Sequence, residues 1–171
     1  MFWSKPIKVI TNEKLIDNFL NRGVENIFPN KDFLKSKLIK GERLSFYLGV
    51  DPTGPMHLGH MIPMLKLAEL QNMGHQIILL IGDFTAQIGD PTGKSKTRPP
   101  LEPEEIERNA KTYLEQVTRV LDPSKLEIVY NSHWLEPINL SHFIRIAGKV
   151  TLARLMERDD ISNRFSSGTA I

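Results

Sequence analysis

The sequence predicts an α/β protein built on a parallel sheet, and three segments carry this prediction. Residues 44–50 alternate between apolar and polar side chains in a β-prone run, which is typical of a short strand. Residues 76–82 (QIILLIG) form a continuous apolar run, as expected of a buried parallel strand. The segment between them, residues 58–73, has the composition of a helix buried against a sheet, so residues 44–82 are predicted to form a βαβ unit.

The flanking segments extend this pattern. Residues 1–43 are predicted to form an N-terminal helical segment, in which Thr11 or Asn12 caps the first helix and Asn30 begins the second. Residues 44–171 are predicted to form the first half of an α/β domain, which is therefore truncated. A third strand and three further helices are expected over residues 125–130, 103–121, 139–148 and 151–156. With only these strands identified, the sheet is expected to be incomplete at the C-terminus.

Two predicted loops leave the sheet at the same edge. Residues 51–60 follow the first strand, and residues 83–100, rich in Gly, Pro, Lys and Arg, follow the second. Ligands of parallel α/β sheets bind beyond the carboxyl ends of the strands. The binding residues are therefore expected in these two loops.

The first of these loops contains the most informative motif, His57-Leu58-Gly59-His60, at the predicted start of a helix. A strand, a tight loop and a helix start bring free backbone N–H groups together, and with the helix dipole they attract phosphate. Gly59 has no side chain, so a flat ring such as adenine can approach the backbone closely. The two histidines lie on one side of the first turn and can act together.

Composition limits the classes of function. The chain has 171 residues, a formal net charge of +2 and no cysteine, which excludes a disulfide framework, thiol catalysis and cysteine-based zinc sites. The N-terminus lacks the features of a signal peptide, and no apolar run reaches the ~18–20 residues that span a bilayer. The expected location is the cytoplasm, without membrane contact.

Two alternative interpretations of the motifs are rejected. The segment GDPTGKS (89–95) has three residues between Gly89 and Gly93, whereas a P-loop requires four. No cysteine, carboxylate or HExxH pattern lies at ligand spacing from His57 and His60, so no protein-bound metal is predicted. A third motif stays open, because the cations at 94, 96 and 98 are either an ordinary solvated charge run or phosphate ligands.

Four segments together resemble bacterial tyrosyl-tRNA synthetases, which are class I aminoacyl-tRNA synthetases. They are YLGVDPTGPMHLGH (47–60), IGDFTAQIGDPTGKSKTRPPL (81–101), NAKTYLEQ (109–116) and YNSHWL (130–135). The resemblance extends from about residue 23 to the last residue, and the second segment is its most specific part. It implies a Rossmann-like catalytic domain and a tyrosine-tRNA ligase that forms tyrosyl-adenylate from L-tyrosine and ATP and transfers tyrosine to tRNA(Tyr).

The same resemblance implies roles for individual residues. Tyr47, Asp51 and Asp90 match residues that contact the tyrosine substrate. A second group matches residues that bind ATP, and these are Gly49, Asp51, Thr53, His57, Gly59 and His60. The implied catalytic residues are His57, His60, Lys94, Arg98 and Thr53, with the two loop cations meeting pyrophosphate in the transition state. Mg²⁺ is implied as a companion of the ATP substrate, and the full-length enzymes of the family are homodimers.

The chain departs from the family pattern in two places. Three residues separate Thr53 from His57, whereas the bacterial pattern has four, which shifts the loop that carries Thr53. The KMSKS loop and the later helices of the tyrosine pocket have no counterpart, so the chain is expected to be the first half of the enzyme and inactive by itself. The alternatives are a tryptophanyl-type or other HxGH adenylyl-transferring enzyme, and a truncated, non-catalytic binding module derived from a synthetase.

Overall fold

The computed structural model describes residues 8–88 and 101–168. The strands are β1 (Ser45–Val50), β2 (Gln76–Ile81) and β3 (Leu126–Tyr130). The first five helices are α1 (Glu13–Asn21), α2 (Lys31–Ile39), α3 (Leu58–Asn72), α4 (Asp83–Ile88) and α5 (Pro103–Val117). The later helices are α6 (Ser132–Leu135), α7 (Leu140–Ala147), α8 (Leu152–Met156) and α9 (Asp159–Ser167), and a 3-10 turn, Pro123–Lys125, precedes β3.

The three strands form one parallel sheet in the order β1-β2-β3. Strand β2 is central, and alternate side chains on it are fully buried, whereas the residues between them are only half-buried. In β1 the same alternation leaves one face exposed. The predicted α/β class with a parallel sheet is confirmed. The carboxyl ends of all three strands lie at one edge, because parallel strands share a direction.

Several helices begin with a capping side chain that accepts a hydrogen bond from the N–H group three residues later, as the sequence predicts. Asn12 Oδ1 accepts a 3.0 Å hydrogen bond from Leu15 N at α1. Equivalent caps are made by Asn30 at α2, by Asn139 at α7 and by Thr151 at α8. Each cap pairs one of the N–H groups that have no partner inside the helix, which stabilises a helix by about 0.5–2 kcal/mol.

The described residues form two compact units. The first unit comprises residues 8–50, 54–80 and 111–129, and it contains α1, α2, α3 and nearly all of the sheet. Its buried apolar side chains are Ile16, Phe19, Leu20, Leu38, Met64, Leu67, Leu70, Met73, Ile77, Leu79, Tyr113, Val117 and Leu121. The predicted domain boundary after residue 43 stays a prediction.

The second unit comprises residues 51–53, 81–88, 101–110 and 130–168. Its buried apolar side chains are few, namely Pro52, Ile81, Ala86, Ile106 and Ala110. Three polar side chains, of Asn131, Ser132 and Arg164, are buried with them. Because a buried polar group needs hydrogen-bond partners, this unit depends on a polar network.

One local expectation is corrected and another is met only in part. The predicted loop 83–100 begins as a helix, α4, whose first residue Asp83 accepts a 3.0 Å hydrogen bond from Ser132 N. Helix α3, predicted from its composition to be buried against a sheet, buries Met64, Leu67 and Leu70. It also leaves an apolar stripe exposed, in which Leu58 is 78% and Ile62 64% exposed. The apolar composition of α3 indicated burial on more faces than the described contacts provide.

In the described ranges, every helix is too short or too polar to cross a lipid bilayer.

Candidate active site

Strand β1 presents two of the predicted site residues on one face. Tyr47 and Gly49 are two positions apart, so their side chains point to the same side of the strand, and Tyr47 is 72% exposed. A Cβ added at Gly49 would lie 3.7 Å from Leu80 Cδ2, an ordinary contact. Glycine is therefore not required at this position by packing, and the exposed face of β1 is open to a ligand.

The HLGH turn forms the N-terminus of α3. His57 is the N-cap, and its Nδ1 accepts a 3.2 Å hydrogen bond from Gly59 N. In return, His60 Nδ1 accepts a 3.1 Å hydrogen bond from His57 N. The two rings are 4.0 Å apart between centroids and inclined at 41°. The predicted closeness of the two histidines is present in the structure, and each ring is fixed by a backbone N–H group.

These hydrogen bonds define where each imidazole carries its proton. A neutral imidazole has one donor and one acceptor nitrogen, so a ring that accepts at Nδ1 carries its hydrogen at Nε2. His57 and His60 therefore each offer an Nε2–H donor, beside the positive end of a helix of 15 residues. Two donors at a helix N-terminus suit the oxygens of a phosphate group.

There is a specific steric reason for glycine at position 59. A Cβ at this position would lie 3.0 Å from Cε1 and 3.1 Å from Nδ1 of His57, which is tighter than side chains normally approach. The sequence predicts that Gly59 leaves room for a flat ligand ring. In this structure the ring that uses the space is the imidazole of His57. Glycine thus allows the His57 cap to form.

Asp51 and Thr53 belong to the second unit, where Asp51 is part of a polar network. Thr85 Oγ1 donates a 2.9 Å hydrogen bond to Asp51 Oδ1, and Thr85 Oγ1 accepts one of 3.0 Å from Asn131 Nδ2. Thr53 is exposed, and its N–H donates to the Asp51 carbonyl at 2.8 Å. The network gives the Asp51 carboxylate a defined position.

Asn131 and Thr85 are the residues that the sequence analysis did not identify. Asn131 is 6% exposed, and its Oδ1 also accepts a 2.9 Å hydrogen bond from Phe84 N. It directly follows β3, and Thr85 lies in the first turn of α4 after β2. Both therefore lie just beyond the carboxyl ends of strands, which is the signal that could have found them.

The predicted residues are thus distributed over the two units. Tyr47, Gly49, His57, Gly59 and His60 lie in the first, and the DPT pair Asp51 and Thr53 lies in the second. Three further predicted residues, Asp90, Lys94 and Arg98, are outside the described residues. Their roles remain predictions.

A strand–loop–helix element with paired histidines at a helix start, on a parallel sheet, is typical of class I tRNA synthetases. The sequence profile of the tRNA synthetases class I (W and Y) matches residues 40–171. The chain therefore belongs to this family, which comprises the tryptophan and tyrosine enzymes.

Two relatives within this family are named tyrosine–tRNA ligase. The tyrosine–tRNA ligase of Shewanella oneidensis is 50% identical over 153 residues, which are 89% of this chain and 38% of the relative. That of Deinococcus radiodurans is 50% identical over 166 residues, which are 95% of this chain and 40% of the relative. The chain thus spans well under half the length of these relatives.

Solved structures agree on the fold. A C-terminally truncated mitochondrial tyrosyl-tRNA synthetase of Aspergillus nidulans has a TM-score of 0.74 at 23% identity, covering 92% of this chain and 48% of its own. The Archaeoglobus fulgidus tyrosyl-tRNA synthetase in complex with L-tyrosine has a TM-score of 0.66 at 24% identity, covering 84% and 42%. At this identity the likeness establishes the class I fold, which confirms the Rossmann-like prediction.

Proposed function

We propose that the chain is the first half of the catalytic domain of a tyrosine–tRNA ligase, which forms tyrosyl-adenylate and transfers tyrosine to tRNA(Tyr). The observation that carries the proposal is the 50% identity to relatives named tyrosine–tRNA ligase, along 89% to 95% of this chain. As a translation enzyme it works in the cytoplasm. By analogy with the family, the complete enzyme is a homodimer.

The chemistry needs alignment and charge stabilisation more than proton transfer. The tyrosine carboxylate is ionised at neutral pH, so it attacks the α-phosphate of ATP without a general base, and pyrophosphate leaves. Negative charge grows on the phosphate oxygens as the phosphorus becomes five-coordinate. Donors fixed before the reaction lower the barrier, because they need no reorganisation during it.

His57 and His60 are suited to be such donors. Each Nδ1 accepts a hydrogen bond from a backbone N–H group, which fixes the ring and leaves its Nε2–H as the donor. Lys94 and Arg98 are proposed to bind the departing pyrophosphate, and Mg²⁺ arrives with ATP as part of the substrate. Gly49 and Thr53 are proposed to lie along the nucleotide.

Tyrosine selection requires polar partners for its phenol and its ammonium group. Tyr47 is proposed to contact the phenolic hydroxyl from the exposed face of β1. Asp90 is proposed to bind the ammonium group, and Asp51, fixed by Thr85, to lie beside the adenylate. A phenylalanine bound at this site would leave the phenol partners unpaired, which is unfavourable for buried polar groups.

There are two alternative functions. The family also includes tryptophan enzymes, so a tryptophanyl-type activity is the first alternative. A non-catalytic module that binds ATP or tyrosine is the second.

One set of measurements tests the proposed tyrosine specificity against the tryptophanyl type. Tyrosine, tryptophan, phenylalanine and ATP are titrated against the 171-residue chain by calorimetry. Pyrophosphate exchange is measured beside it, with the full-length Shewanella oneidensis enzyme as reference. We expect tyrosine to bind more tightly than the other two amino acids, and exchange to be at least 10²-fold below the reference, since removing one donor alone costs about that much.

Three results would contradict the proposal, each in a different way. Tighter binding of tryptophan than of tyrosine would establish the tryptophanyl type. Failure of ATP and of all three amino acids to bind would contradict the proposed site as a whole. Exchange within tenfold of the reference would show that this chain carries the chemistry alone, against the proposed division of the enzyme.

A further inference from the structure

Helix α5 contains a segment, NAKTYLEQ (109–116), that belongs to the family resemblance and has no role in the proposed function so far. Its first and last residues, Asn109 and Gln116, are seven positions apart, so about two helical turns place them on the same face of the helix. Both side chains are half-buried. Each of them forms a hydrogen bond to the backbone of the loop 51–57, which carries proposed nucleotide-binding residues.

Asn109 contacts this loop within the second unit. Its Nδ2 donates a 2.9 Å hydrogen bond to the carbonyl of Pro52, a residue that is fully buried. The N–H of the same peptide group, that of Thr53, donates a 2.8 Å hydrogen bond to the Asp51 carbonyl. Both polar atoms of this peptide group therefore have partners. The group fixes the backbone of Thr53, whose side chain is exposed.

Gln116 contacts the other end of the loop within the first unit. Its Oε1 accepts a 3.1 Å hydrogen bond from Met56 N. The next residue is His57, the N-cap of α3, whose own N–H donates to His60 Nδ1. Gln116 thus fixes the backbone immediately before the HLGH turn, and the hydrogen bonds of the turn fix the imidazole rings after it.

The two contacts leave little of the loop unrestrained. Three residues, Thr53, Gly54 and Pro55, separate the Pro52 carbonyl from the N–H of Met56. The ring of Pro55 also fixes one of their backbone dihedral angles. If either hydrogen bond were lost, water would replace it, and the loop would open locally at a lower free-energy cost.

We propose that Asn109 and Gln116 are positioning residues for ATP, an inference that rests on the proposed function. Both side chains bind backbone atoms, so they act through Thr53 and His57, whose exposed side chains are proposed to contact the nucleotide. A loop that is held in the binding conformation before ATP arrives raises the affinity. The apparent affinity falls in proportion to the fraction of molecules in which the loop has another conformation.

Two substitutions remove the contacts, and each has a matched control. Gln116→Met keeps a long, unbranched side chain without the oxygen acceptor, whereas Gln116→Glu keeps an oxygen at this position. Asn109→Ala removes the amide donor, and Asn163→Ala makes the same change at an exposed position of the same unit.

Exchange of backbone amides with water, measured by NMR on the 171-residue chain, tests the local effect. Gln116→Met is expected to accelerate exchange of the Met56 and His57 N–H groups about two- to twelve-fold, the equivalent of one hydrogen bond. Residues 66–72, at the far end of α3, are expected to keep the parent rates. Gln116→Glu should restore slow exchange at Met56. Asn109→Ala should accelerate exchange at Thr53, and Asn163→Ala should not.

Calorimetric titration with ATP tests the positioning role. Gln116→Met and Asn109→Ala are each expected to raise the Kd for ATP about two- to twelve-fold, while Asn163→Ala keeps the parent value. Tyrosine affinity serves as the second readout for Gln116→Met and is expected to stay at the parent value. A residue that merely supports the fold would not produce this difference between the two ligands.

Several results would overturn the proposal. An ATP affinity equal to that of the parent chain in both variants would remove the positioning role and leave the proposed function intact. Faster exchange along the whole of α3 in Gln116→Met would make Gln116 a general support of the fold instead. A parent chain that does not bind ATP would contradict the proposed nucleotide site, and this role with it.

Discussion

The hydroxyl of Thr85 donates a 2.9 Å hydrogen bond to the carboxylate of Asp51, across 34 positions of sequence. The same hydroxyl accepts a hydrogen bond from Asn131 Nδ2, and the side chains of Asp51 and Thr85 lie close to Gly82. One carboxylate, one hydroxyl and one amide thus meet where the chain leaves the ends of β1, β2 and β3. The position of the Asp51 carboxylate depends on these neighbouring groups. The first two predictions test this dependence.

Gly82→Ala should displace Asp51. A Cβ on Gly82 would overlap Asp51 Oδ1 and lie 2.6 Å from Thr85 Oγ1, so the carboxylate must move. We expect a loss of about 1–3 kcal/mol in the free energy of unfolding, by denaturant titration, together with weaker tyrosine binding. Gly49→Ala is the control for stability, since its Cβ would make only a 3.7 Å contact with Leu80. Equal stability of the two variants would contradict the crowding at Gly82.

Asn131→Ala should be among the most destabilising polar substitutions in the second unit. The side chain is 6% exposed and joins Phe84 N to Thr85 Oγ1. Its removal leaves the part-buried Phe84 N–H without this partner, at a cost of about 1 kcal/mol or more. Thermal unfolding measures this loss, with Asn163→Ala, at an exposed position, as the control. A melting temperature as high as that of the control would show that the network contributes no stability.

His57→Ala should affect both the helix and the nucleotide. Loss of the N-cap acceptor for Gly59 N is expected to cost about 0.5–2 kcal/mol of stability. Loss of the Nε2–H donor is expected to weaken ATP binding while tyrosine affinity, measured by calorimetry, stays close to that of the parent chain. His142→Ala removes an exposed histidine at another place and serves as control. Unchanged ATP affinity in His57→Ala would remove this residue from the proposed site.

Tyr47→Phe should weaken tyrosine binding and narrow the preference for tyrosine over phenylalanine. The side chain is exposed on the open face of β1, so the fold itself should be little affected. Loss of one hydrogen bond to a neutral hydroxyl costs about 0.5–1.5 kcal/mol, or roughly two- to twelve-fold in affinity. Calorimetric titration with both amino acids tests this. If the ratio of their affinities is unaltered, Tyr47 does not contact the phenol.

His75 should make stability depend on pH. Burial, and secondarily the charge of Arg43, lowers the pKa of His75 below its usual 6.5. Below pH 6.5 the unfolded chain therefore binds a proton that the folded chain excludes, so the free energy of unfolding is lost as pH falls from 6.5 through the lowered pKa. Denaturant titrations at pH 7.5 and 5 measure the loss. His75→Gln should reduce it, and an unreduced loss would assign the effect to other groups.

Local interactions made much of this molecule predictable. Asn12, Asn30, Asn139 and Thr151 each pair with an N–H group three residues away, so each helix start is encoded within one turn of sequence. The apolar run of β2 and the HLGH turn are local patterns of the same kind. The chain order of strands and helices then allows few topologies, and a parallel sheet is the expected one.

Only the tertiary structure decided the rest. The Asp51–Thr85–Asn131 network joins residues 34 and 46 positions apart, and no local pattern specifies which strand ends will meet. The sequence also did not determine which apolar side chains are buried. Leu58 and Met64 are both apolar residues of α3, and yet they are 78% and 2% exposed. Composition shows which side chains favour burial, whereas the packing of the sheet and helices determines which of them are buried. The physical reason is that short-range hydrogen bonds depend on neighbouring residues alone, while long-range contacts depend on how the whole chain packs.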